Sequence, residues 1–145
     1  METLPRRIRE NAATWAVLLD DPEVRQRPND DCRSALEYGC HVRDVFRLFH
    51  ERLRLMLEAE ARRFSNWDQD ATAVEDRYSE QDPAVVAVEL TAAAEKIASA
   101  LGAVLPDEWL RSGARSDGAT FNMDSFARYF LHDPVHHVYD LVQAR

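Results

Sequence analysis

The chain has 145 residues, 46% of them hydrophobic and 30% charged, a length and composition that predict one globular domain, residues 1–145, able to bury its own core. It carries 26 acidic against 18 basic side chains, a formal net charge of −8. The arginines sit beside acids, as in "RRIRE" and "HVRDVFRLFHERLR", so no basic face is available for a phosphate backbone and nucleic acid is not an expected partner.

No apolar run approaches the roughly 20 residues of a membrane span, and "METLPRRIRENAATW" lacks the apolar core of a secretory signal. Both features predict a cytoplasmic protein with no membrane partner. Of the 18 basic residues only Lys96 is a lysine, which reads as the mark of GC-rich coding. Cys32 and Cys40 do not form a CxxC pair. Cys40 falls in a helical pattern and is expected to be buried, and Cys32, in a loop, to be exposed.

The first helix is expected from Pro5 to about Asp20, with Ile8, Trp15, Leu18 and Leu19 at helical spacing. A loop rich in turn formers follows, "DDPEVRQRPNDDC". Ser34 and Glu37 have the spacing of a capping box, so the second helix starts there and is expected to reach about Arg62. Its apolar stripe is Tyr38, Val42, Val45, Phe49 and Met56, widened by Leu48 and Leu55.

Residues 62–81 show no strong period, and a loop of that length in a small domain is often functional. Trp67 is expected to pin it to the body of the protein, and Val74 and Tyr78 to fall in a short helix. Asp82 and Pro83 then supply an N-cap and a first helical residue. Val86, Leu90, Ala93, Ile97, Ala100 and Val104 follow as a four–three seam typical of bundle packing. Ala92, Ala93 and Ala94 would let a neighbouring helix approach closely.

Asp117-Gly118 is a turn signal between short runs that can pair as a small hairpin before the last helix. Trp109 is expected to cover one end of the core. The last helix is expected from about residues 122–125 to Val142, with Phe126, Phe130 and Leu141 inward. The fold class is therefore all-α, a four-helix bundle with long second and third connections and room for a topology other than simple up-down.

Three of the five histidines crowd into "YFLHDPVHHVYDL" on this last helix. Residues four apart share a helix face, which pairs His132 with His136 and Asp133 with His137. Either pair offers two ligands to a divalent ion, and a third must come from another helix. His41 is the best placed, at the inward edge of the second helix. His50 is expected at the surface. Asp44, one turn after His41, is a candidate for a fourth ligand, with orienting a ligand or pairing with an arginine the favoured roles. Pro134 removes a backbone bond within the helix, which favours either a kink or a break into two helices. Spacing alone leaves both ligand pairs open.

A histidine near the start of the second helix in "ALEYGCHVRDVF" and a His-x-x-x-His in "HDPVHHV" resemble the DinB-like superfamily of bundle proteins. That family includes YfiT-like proteins and the N-terminal domains of thiol-dependent maleylpyruvate isomerases. The resemblance spans nearly the whole chain. It implies that His41, His132 and His136 hold a divalent metal, zinc or nickel, and so prefers that pair to Asp133 and His137. Many members follow the last ligand with an Arg-Gly-Gln stretch; this chain has His137, Val138 and Tyr139 instead.

The function implied is a metal-dependent enzyme of the thiol S-transferase type acting on a small-molecule substrate. Its thiol would be a low-molecular-weight one such as mycothiol, which the GC-rich bias favours. Asp44 and Asp133 are then candidates for orienting ligands or for base catalysis, and Asp68 and Asp70 for binding the cofactor's amine. Metal-dependent hydrolysis and a non-catalytic, metal-binding stress-response bundle are the alternatives. The family's habit of pairing through helices adds a homodimer to the expectations.

Overall fold

Small polar residues and prolines mark the helix starts in this chain, and the structure uses nearly all of them. A computed structural model describes residues 3–58, 62–64, 67–105, 112–115 and 120–144. Helix α1, Leu4–Leu19, is capped by Thr3, whose hydroxyl accepts from the Arg6 amide at 3.4 Å. Helix α2, Ala35–Glu58, opens on the expected capping box. Ser34 Oγ accepts from the Glu37 amide at 3.1 Å, and the Glu37 carboxylate accepts from the Ser34 amide at 3.2 Å. Arg27 grips the same carboxylate with two nitrogens, at 2.9 and 2.6 Å.

Asp68 caps the short helix α3, Gln69–Glu75, by accepting from the Ala71 amide at 3.0 Å. A 3₁₀ turn at Tyr78–Glu80 follows Arg77, which has a left-handed φ of 51°. Val74 thus belongs to α3 and Tyr78 to the 3₁₀ turn. Asp82 caps helix α4, Pro83–Gly102, through the Ala84 amide. Helix α5 spans Met123–Ala144 and continues through Pro134, so the chain does not break into two helices there.

The second helix ends earlier than its pattern suggests. Arg62 belongs not to α2 but to strand β1, Arg62–Phe64, which pairs in parallel with β2, Ser112–Arg115. Strand β2 pairs antiparallel with β3, Thr120–Asn122, as the expected hairpin requires. The strand at 62–64 is too short to show a period, and its partner lies some fifty residues further on, so no local signal announces it. Trp109 and the Asp117-Gly118 turn lie outside the described residues.

Helix α4 packs against both α1 and α2, and α5 also packs against α2 and α1. The third and fourth long helices therefore lie across the bundle from each other, where a simple up-down bundle would make them neighbours. Helices α2 and α5 run antiparallel. Phe49 meets Phe126 and Phe130 at 4.8 and 4.6 Å between ring centres, and Tyr38 meets His137 at 4.9 Å. Ile8, Trp15, Phe46, Leu53, Leu90, Ile97 and Phe130 are buried to within 1%, each worth roughly 1.5–3 kcal/mol of transfer free energy. Ala93 and Ala94 are buried in α4, and Ala92 faces out.

Cys32 is buried, against expectation, with its thiol 3.8 Å from the Tyr38 hydroxyl. His50 is half-buried, not fully exposed. No helix among the described residues is long and apolar enough to cross a membrane.

Candidate metal centre

The inward face of α5 is set by Phe126, Phe130 and Leu141, all buried. Asp133 stands three residues after Phe130. His137 stands seven after Phe130 and four before Leu141. At 3.6 residues per turn these positions share the inward face. On α2, His41 lies one turn before the buried Val45 and is itself fully buried. The antiparallel pairing of the two helices brings these three residues together.

His41 Nε2 lies 3.0 Å from Asp133 Oδ2, and His137 Nε2 lies 3.2 Å from Asp133 Oδ1. One ligand atom from each of His41, Asp133 and His137 can be chosen so that all lie within 4.8 Å of one another. The two imidazoles meet edge to face, 4.9 Å between centres at 84°. Trp67 stacks on the His41 ring at 5.5 Å and 4°.

Three ring nitrogens here are buried without a hydrogen bond: His41 Nδ1 and both nitrogens of His137. His137 Nε2 to Asp133, and His137 Nδ1 to Asp140 Oδ2 at 3.5 Å, are close enough for ion pairs but are not aligned as hydrogen bonds. Each unsatisfied buried polar atom costs about 1–3 kcal/mol, so the cluster is poorly satisfied by protein alone. Two imidazoles and a carboxylate suit a divalent first-row cation, and His₂-carboxylate sets serve both zinc hydrolases and non-heme iron sites. Burial raises the affinity of Asp133 for a proton, but the imidazoles of His137 and His41 outweigh it. They hold the carboxyl well below its ordinary range, so Asp133 is an anion at neutral pH.

His132 and His136 are not brought to His41. They stack on each other at 5.6 Å on the exposed side of α5. His136 Nε2 lies 3.4 Å from Asp140 Oδ1, and its ring faces Tyr139 at 6.2 Å. Helical phase is the reason. These two histidines sit three and seven residues after Tyr129, which is 68% exposed, whereas Asp133 and His137 keep phase with Phe130.

The other candidates have structural partners. Asp44 accepts from the Tyr78 hydroxyl and from Arg43 Nε. Arg43, itself buried, also reaches Gln81 and Glu89, so this network ties α2 to the 3₁₀ turn and α4. Asp68 caps α3, and Asp70 pairs with Arg33 at 2.8 Å. Thr72 of α3 accepts from the Trp67 indole N–H at 2.8 Å. Asp68 therefore bears on the site indirectly, through the short helix that holds Trp67 over His41. Among the described residues of the long loop, Trp67 has a ring contact with the triad, foreshadowed only by its being a large aromatic in a stretch without a period.

A cleft of about 250 Å³ opens beside the triad. Val45, Leu48, Phe49 and Arg52 of α2 form one wall, and Tyr129, Phe130, His132 and Asp133 of α5 the other, with Trp67 and Gln69 completing it.

Comparison with known proteins accords with this architecture. A sequence model of the DinB superfamily matches residues 6–141. The chain belongs to the DinB superfamily. Among solved structures, the DinB bundle described here resembles YfiT from Bacillus subtilis, with a TM-score of 0.81 at 16% sequence identity, over 97% of this chain and 84% of that one. That protein is described as a probable metal-dependent hydrolase with an unusual four-helix bundle topology; at such low identity the likeness speaks for the DinB fold alone. No curated protein matches the chain.

Proposed function

We propose that this DinB-superfamily chain is a divalent-metal-dependent enzyme whose ion is held by His41, Asp133 and His137. The observation that carries the proposal is the set of buried, unsatisfied imidazole nitrogens gathered around an anionic carboxylate. Zinc or nickel is the expected ion. When bound, it would act as a Lewis acid that promotes deprotonation of a thiol or of water.

We take the nucleophile to be a small molecule. The described lining of the cleft contains no cysteine, serine, threonine or lysine. Both cysteines are buried elsewhere, and burial pushes the Cys40 thiol up to about 12. Asp44 accepts from Tyr78 and Arg43, which favours a structural role for it over that of the base. His132, at the cleft wall and exposed, is the side chain placed to accept a proton there.

The leading reaction is S-transfer from a low-molecular-weight thiol such as mycothiol to a small electrophile, in line with the resemblance of the histidine motifs. Metal-assisted hydrolysis is the second reading, favoured by the likeness to YfiT. Incubation of the zinc- or nickel-loaded protein with mycothiol and 1-chloro-2,4-dinitrobenzene, beside 4-nitrophenyl acetate alone, separates them. Thiol conjugation that needs the metal supports transfer. Metal-dependent ester cleavage without conjugation supports hydrolysis. Metal binding with neither activity would leave a non-catalytic metal-binding bundle.

A further inference from the structure

The cleft beside the triad is graded along its length. His41, Val45, Leu48 and Arg52 follow one another on α2 at steps of four, three and four residues, which keeps them on one helix face. Eleven residues at about 1.5 Å each set His41 and Arg52 roughly 16 Å apart along the helix. The antiparallel α5 supplies Asp133 at the His41 end and Phe130 and Tyr129 toward the Arg52 end. The cleft thus has a polar triad at one end, aromatic walls in the middle and a guanidinium at the other.

Arg52 is the one guanidinium in the described lining, and its carbon lies 5.7 Å from the centre of the Phe49 ring. A cation–π contact of that kind steadies the group beside the ring. A guanidinium has five N–H donors in a fork that matches a carboxylate, so it can take a ligand carboxylate beside any protein partner. At about 250 Å³ the cleft lies below the range of about 300–1,000 Å³ usual for drug-sized ligands, which favours a molecule with a single ring.

We propose that the cleft takes a single-ring aryl carboxylate, with its ring against the aromatic lining of Phe49, Phe130, Tyr129 and Trp67 and its carboxylate on Arg52. The reactive arm of the molecule then points at the triad. This assignment deepens the enzyme reading above and rests on it for the role of the triad end.

Calorimetric titration of the full chain, metal-free and zinc-loaded, with 3-phenylpropanoate and with 3-phenylpropanamide tests the assignment. The acid is expected to bind at least about tenfold more tightly than the amide. Arg52→Met should bring that preference below about twofold with zinc stoichiometry unchanged, and Arg52→Lys should keep part of it. Equal affinity for acid and amide in the wild type would overturn the proposal. So would a preference that survives in Arg52→Met, because the carboxylate would then sit on the bound zinc. An acid preference in metal-free protein that takes up no zinc would sink the metal centre and leave the Arg52 site standing. One zinc per chain with no acid preference would do the reverse.

Discussion

Two rings and a carboxylate fix the orientation of His41. Trp67 lies flat against it, His137 meets it edge-on, and Asp133 takes its Nε2. As the proposed ligand set, residues held this firmly would lose little entropy when an ion binds. A second residue with a definite consequence is Glu37. The Arg27 guanidinium holds its carboxyl below the usual range, with help from the Ser34 amide and against the effect of burial. A depressed folded pKa gives stability that is fully present above the unfolded value of about 4.3 and is lost as pH falls through the folded value. Glu37→Gln should therefore cost about 1–2 kcal/mol at pH 7. It should also flatten the loss of stability between about pH 4.3 and lower values. Denaturant midpoints measured from pH 7 to pH 3 check both parts, and an equally steep acid limb in the variant would count against the Arg27 pairing.

At the scale of the elements, local chemistry announces most of the starts. Thr3, Asp68 and Asp82 accept the first free amides of their helices, and Ser34 and Glu37 cap α2 reciprocally. Ser34→Ala should cost about 1 kcal/mol, read as a lowered thermal midpoint with unchanged far-ultraviolet signal at low temperature. The phase of α5 was also legible, from Phe126, Phe130 and Leu141. Carried through the histidine cluster, their period puts Asp133 and His137 inward and His132 and His136 outward. The preference for His132 and His136 came from motif resemblance, which fixes spacing between ligands but not the phase of a helix against its core. Strand β1 was not legible, because three residues paired with a distant strand leave no periodic trace.

For the whole molecule, the triad joins α2 to α5, two helices far apart in sequence that also meet through Phe46, Phe49, Phe126 and Phe130. The bundle architecture was readable from four amphipathic stretches. That α4 and α5 lie across from each other was not, because their packing faces do not name their partners. The proposed ion, shared between α2 and α5, would stabilise the native state by mass action, about 2.7 kcal/mol when free metal is a hundredfold above Kd. Chelation should then lower the thermal midpoint by roughly 10 °C, and restoring zinc should recover it. A midpoint indifferent to chelator would mean that no ion bridges the two helices.

The most direct test of the His41–Asp133–His137 centre is metal content per chain in purified, folded variants reconstituted with zinc or nickel. The wild type, His132→Ala and His136→Ala should each hold about one ion per chain. His41→Ala, Asp133→Asn and His137→Ala should hold almost none while keeping the helical signal of the wild type. Loss of metal in His132→Ala or His136→Ala, with retention in Asp133→Asn, would contradict the account and move the ion to the outer face of α5.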